Sequence, residues 1–222
     1  MKSKRAGALF GRGIILATVA VVAAVTLLLS PSGTPRAAAA DCPPIEVVFA
    51  RGTDEPAGLG RVGSTFVDSL RNQVGGRTVG TYAVNYPATF DFLAAANGAN
   101  DASAHVQYMA ANCPDTRLVL GGYSQGAAVI DVITAVPFPA IGFNQPMPAL
   151  VADHVAAVAV FGNPSAKVGV PLTLSPLYGF KAIDLCNAGD PVCSDGDNFA
   201  AHSNYVPAGL ASQAAGFVAG RL

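Results

Sequence analysis

The 222-residue chain contains no tryptophan, three histidines and three methionines, and only 12% of its residues are charged. So few charges, with the acidic ones in slight excess, argue against a nucleic-acid partner. The four cysteines include no Cys-x-x-Cys pair, which argues against a structural zinc site. Aromatic residues are scarce at 8%, leaving few faces on which sugar rings could stack. Three histidines give any chemistry that needs an imidazole few candidates. One long apolar run is present, the 16 residues from Ile14 to Leu29, and it is somewhat short for a spanning helix of about 20.

That run explains the amino terminus. Lys2, Lys4, Arg5 and Arg12 precede it, and Pro31, Gly33 and the small residues Ala37–Ala40 follow it. A basic head, an apolar core and a small-residue exit are the signature of a secretory signal peptide. We read 1–40 as that peptide, with cleavage after Ala40 and an uncleaved anchor as the alternative, and 41–222 as one domain exported from the cell. Five of the 13 basic residues but none of the 14 acidic ones lie in 1–40, so the remainder carries 8 − 14 = −6. A mildly acidic product is not drawn to anionic membrane surfaces. Cys42, Cys113, Cys186 and Cys193 all fall in the exported part, and an even count there predicts two disulfides among three possible connectivities. The short spacing of Cys186 and Cys193 makes a local bridge natural and leaves Cys42–Cys113 as the long one.

Short apolar, β-branched runs bounded by turn residues recur at Ile45–Ala50, Val79–Val84, Arg117–Tyr123, Val155–Phe161 and Phe180–Leu185. Helix-like stretches alternate with them at Val62–Val74, Gly98–Ala110, Gln125–Val136 and Tyr205–Ala219. This order predicts an α/β fold with about five mostly parallel strands covered on both faces, and ligands at the carboxyl ends of the strands. Pro137–Pro148 reads as a surface loop rather than a boundary between domains.

Gly122-Tyr123-Ser124-Gln125-Gly126 stands between a buried strand and a helix. A nucleophile elbow needs this placement, because side chains at the two glycine positions would clash in so tight a strand-to-helix turn. Ser124 is the candidate nucleophile, and the Gln125 amide at the helix start can face a developing oxyanion. A serine nucleophile needs a base and a group to orient that base. His105 lies in a helical pattern and reads as a surface or packing residue, and His154 as a loop residue beside Asp153. His202, in a loop before the last helix, is C-terminal to the candidate acids, as the Ser…Asp…His order of such folds requires. Asp190, inside the Cys186–Cys193 loop, is the favoured acid over Asp184, Asp195 and Asp197. Thr53, on the loop after the first strand, can supply a second oxyanion donor.

Arg51-Gly52-Thr53-Asp54-Glu55, Gly122–Gly126, and Cys186-Asn187-Ala188-Gly189-Asp190-Pro191-Val192-Cys193 followed by His202 together resemble the cutinases, and the likeness covers essentially all of 41–222. The resemblance implies a single-domain, minimal α/β-hydrolase fold and a Ser124–Asp190–His202 triad. It also implies an oxyanion hole from Thr53 and Gln125, disulfides Cys42–Cys113 and Cys186–Cys193, and no metal or cofactor. Its substrates would be carboxylic esters, small or polymeric, or lipids, hydrolysed by a secreted monomer. One segment departs from the fungal pattern. Asp91-Phe92-Leu93 stands where the family often carries Gly-Asp-Asn, so an Asn bracing the oxyanion hydroxyl is not evident. The apolar residues of Phe90–Leu93 and of Asn198–Ala201 are expected to pack, with a lipid interface as the alternative. A phospholipase A or lipase shares the same apparatus. A catalytically silent binding protein and a polysaccharide deacetylase are the remaining readings.

Overall fold

The computed structural model describes residues 42–140 and 142–222, so the signal peptide read over 1–40 lies outside the described residues. The strands are β1 (Ile45–Ala50), β2 (Val79–Ala83), β3 (Arg117–Tyr123), β4 (Val155–Phe161) and β5 (Ala182–Leu185). All pair in parallel in the order β2-β1-β3-β4-β5. The helices are α1 (Gly60–Arg71), α2 (Ala95–Asn112), α3 (Gln125–Ala135) and α6 (Leu210–Ala219), with short α4 (Pro164–Lys167) and α5 (Phe199–Ser203) near the strand ends.

Side-chain alternation along each strand feeds two cores. Val48, Ala50, Leu118, Leu120, Val158 and Val160 meet α2 and α3 on one face. Ile45, Val47, Phe49, Val119, Ala159 and Phe161 meet α1 and α6 on the other. β1, β3 and β4 are apolar along almost their whole length because helices cover both of their faces. In α1 the buried residues Val62, Phe66, Val67 and Leu70 recur at helical spacing, which turns one stripe to the sheet. The first crossover runs from β1 outward to β2, and the next returns across β1 to β3. The carboxyl ends of β1 and β3 therefore flank the switch point, where the chain leaves a crevice.

Several boundaries differ from the sequence reading. Lys181 donates through Nζ to Ala152 O (2.6 Å) and Val155 O (2.9 Å), which holds Gly179–Lys181 in a 3₁₀ turn and delays β5 to Ala182. The last helix starts at Leu210 rather than Tyr205, after Pro207 and a left-handed Gly209 at φ 76°. His202 is not in a loop but on α5, whose start is capped by the Asn198 side chain accepting from Ala200 N. The Pro137–Pro148 segment is a surface loop, as expected, held down by buried Phe143 and Met147. Both disulfides form, Cys42–Cys113 and Cys186–Cys193. Among the described residues no helix is long and apolar enough to cross a membrane.

Candidate active site

The turn between β3 and α3 carries Ser124 at φ 56°, ψ −118°, a conformation that non-glycine residues rarely adopt and that persists only where the surroundings enforce it. The Ser124 amide donates to Phe161 O at the end of β4 (2.8 Å). On the other side α3 lies directly against β1. A Cβ on Gly126 would stand 2.0 Å from Ala50 O, and one on Gly122 2.2 Å from Gly126 O. Only hydrogen fits at either position, so the two glycines let strand and helix close around the serine.

His202 bridges the two other groups. Its Nε2 lies 2.9 Å from Ser124 Oγ and its Nδ1 2.8 Å from Asp190 Oδ2. The imidazole is 18% exposed and Asp190 is wholly buried, so the serine side of the site opens to solvent while the acid does not. Val192 N donates to Asp190 Oδ1 (2.8 Å) across the ring closed by Cys186–Cys193, which fixes the carboxylate. Tyr123 lies against the His202 ring, with centroids 5.1 Å apart, and its hydroxyl donates to the His202 carbonyl (2.6 Å). Burial pushes the Tyr123 phenol up to about 12, so it stays a neutral donor near pH 7. The competing acids stand elsewhere: Asp195 and Asp197 are exposed, and the Asp184 side chain accepts from Asn163 Nδ2 and Leu172 N. His105 bonds Glu46 through Nε2 (2.6 Å) and stacks on Tyr82, and His154 meets the Pro114 carbonyl. Neither of these histidines approaches Ser124.

Thr53 and Gln125 border the same groove as Ser124 and His202. The loop carrying Thr53 is set by a buried arginine whose sequence signal was only its place in the Arg51–Glu55 run. Arg51 donates through Nε to Glu55 O (2.8 Å) and through Nη2 to Tyr86 O (2.7 Å), joining the loop after β1 to the one after β2. Glu55 in turn accepts from Gly52 N (2.7 Å) and from Arg61 N at the start of α1 (2.8 Å). Gln125 Nε2 donates to Thr89 O (2.9 Å), which fastens the loop after β2 to the elbow as well.

The groove measures about 720 Å³ and is bordered mainly by apolar side chains, among them Phe90, Phe92, Ala128, Val192 and Phe199. Phe90, Phe92, Leu93 and Phe199 are 63–74% exposed, so the expectation that these two segments pack is overturned. Phe90, Phe92 and Phe199 form an apolar rim on the groove. Among the described residues no three His, Cys, Asp or Glu side chains are grouped so as to hold a metal ion.

The arrangement is one in which a serine Oγ, an imidazole and a buried carboxylate stand in hydrogen-bonded series beside an apolar groove. The protein-family model described as Cutinase matches residues 41–222. Phospholipase Culp4 of Mycobacterium tuberculosis is 59% identical over 219 residues, covering 98% of this chain and 95% of that protein. Carboxylesterase Culp1 of Mycobacterium bovis is 53% identical, over 92% of this chain and 94% of that one. Among solved structures, the Trichoderma reesei cutinase in complex with a phosphonate inhibitor aligns with a TM-score of 0.65 and 33% identity, over 80% of this chain and 75% of that one. Fold, elbow and family model agree over the same residues, and the chain belongs to the cutinase family.

Proposed function

We propose that the protein is an exported serine esterase that hydrolyses carboxylic esters with an acyl chain seated in the apolar groove. His202 takes the Ser124 proton as Oγ attacks the ester carbonyl, and the amides of Thr53 and Gln125 stabilise the tetrahedral oxyanion. Asp190 holds the imidazole in the tautomer that presents Nε2 as the base and stabilises the imidazolium that forms. His202 then protonates the leaving alcohol. Water, deprotonated by the same imidazole, attacks the acyl-enzyme and releases the acid. The observation that carries this reading is the His202 imidazole standing between Ser124 Oγ and Asp190 Oδ2 at 2.9 and 2.8 Å. Replacing Ser124 by Ala is expected to abolish p-nitrophenyl ester hydrolysis and fluorophosphonate labelling in a protein that still folds. Full activity in that variant would overturn the proposal.

A lipid substrate is the second reading, supported by the exposed Phe90, Phe92 and Phe199 that border the groove. Rates across a C2-to-C16 ester series, run beside phosphatidylcholine and an acetylated sugar, separate a short crevice from a lipid groove. Export is supported by the basic head, apolar run and small-residue exit of 1–40 and by two disulfides that need an oxidising compartment. Amino-terminal sequencing of protein recovered from culture medium is expected to begin at Asp41.

A further inference from the structure

We infer that Tyr205 is a positioning residue for the reaction, acting through Asp190. The inference rests on the triad proposed above and adds a fourth member to it. Tyr205 has no solvent-accessible surface and lies three residues beyond His202. Its hydroxyl is 2.7 Å from Asp190 Oδ2, the same oxygen that His202 Nδ1 approaches at 2.8 Å. The direction of this hydrogen bond is forced. The Asn187 amide donates to the tyrosine oxygen (3.0 Å), so the single hydroxyl hydrogen is left for the carboxylate, which has none to give. Burial, with the Asp190 hydrogen bond adding to it, pushes the phenol far above its ordinary range, so it is a donor at every working pH.

Two consequences follow for the base. One chain segment holds Asp190 Oδ2 from two sides, imidazole and phenol, while Val192 N holds Oδ1. The carboxylate therefore has little freedom to turn away from the imidazole. The phenol also occupies one lone pair of Oδ2, so the charge of that oxygen is shared between two donors rather than directed at Nδ1 alone. The other titratable or charged groups around this cluster are Tyr123 at the end of β3, Glu55 on the loop after β1, Arg61 on α1, Lys167 on α4, and exposed Asp195 and Asp197. Tyr205→Phe changes none of them, and it keeps the ring packed on Phe161 and Tyr123.

The test compares pH profiles of kcat/KM for p-nitrophenyl butyrate in wild type, Tyr205→Phe and Asp190→Asn. Fluorophosphonate labelling and a thermal melt serve as controls for folding. Tyr205→Phe is expected to lower kcat about tenfold with KM within about twofold, the cost of a misaligned base. Its acid limb should move up by about half a unit to one unit, because a carboxylate with one donor fewer holds the imidazolium more strongly. Replacing Tyr205 by a fluorotyrosine, a stronger donor of the same shape, should move the limb the opposite way, and this arm stands even if the Phe variant fails to fold. An inactive Asp190→Asn protein together with unmoved acid limbs in both tyrosine variants would overturn the inference and leave the triad intact. Wild-type activity in Asp190→Asn would overturn both.

Discussion

The most quantitative prediction concerns a group outside the groove. Asp131 on α3 is mostly buried, and burial pushes its carboxyl up to about 7, with the neighbouring Asp184 carboxylate adding to the effect. Asp184 is raised for the same reason of burial. Asn163 Nδ2 reaches both, at 3.3 Å to Asp131 Oδ1 and 2.8 Å to Asp184 Oδ2, while Asp131 Oδ2 and Asp184 Oδ1 have no partner among the described residues. A raised carboxyl favours the folded state only while it is protonated. Below about pH 4 the aspartate is neutral in both states and costs nothing. As pH rises from about 4 to about 7 the unfolded chain ionises freely while the folded one resists, and stability falls. Moving the carboxyl from its ordinary value near 4 to about 7 corresponds to about 4 kcal/mol at its upper limit, so we expect about 2–4 kcal/mol above pH 7. Asp131→Asn removes the charge and keeps an oxygen to accept from Asn163. Its melting temperature should therefore match wild type near pH 4 and exceed it by roughly 5–15 °C at pH 8, at about 2–4 °C per kcal/mol for a domain of this size. Thermal unfolding followed by circular dichroism from pH 4 to 9 supplies the comparison. A difference between the two proteins that does not change with pH would refute the reasoning, whatever its sign.

The remaining predictions concern the elbow and its surroundings. Gly126→Ala would set a methyl 2.0 Å from Ala50 O, so it should cost about 3 kcal/mol or more and leave little soluble, fluorophosphonate-reactive protein. Thr53→Pro removes one of the two proposed oxyanion amides and should lower kcat about 10²-fold with KM little changed, checked by steady-state kinetics on a soluble ester. Opening the small ring with Cys186→Ser and Cys193→Ser should cost about 2.5 kcal/mol on the loop-entropy model. It should also lower kcat more than it raises KM, because Asp190 loses its frame.

Much of this was legible because chemistry and folding use the same residues. The runs of β1, β3 and β4 read as strands since both faces are buried, and the Ser124 turn read as an elbow since its glycines answer a steric need local in sequence. The order of Asp190 and His202 followed from the direction of the chain. Tyr205 was legible only as the start of a helix. A buried tyrosine looks the same in a sequence whether its hydroxyl meets a backbone carbonyl or the carboxylate beside an imidazole, and here the partner lies across a loop. Arg51 hid for the same reason, since one of its acceptors, the Tyr86 carbonyl, lies 35 residues away. The exposure of Phe90, Phe92 and Phe199 was misread because apolar residues in a loop usually pack, and nothing local distinguishes a rim from a plug.

The elbow has a bearing on the order of events during folding. Ser124 keeps its left-handed backbone because Phe161 O anchors it from β4 while Gly126 presses on Ala50 of β1. His202 arrives from 78 residues downstream. None of these partners is local, so a chain emerging from a ribosome or crossing a membrane has no activated serine to expose. Such non-local pairings form late and cooperatively. The serine thus meets its imidazole only when β1, β3 and β4 have closed side by side, and it loses that partner with the first loss of the sheet.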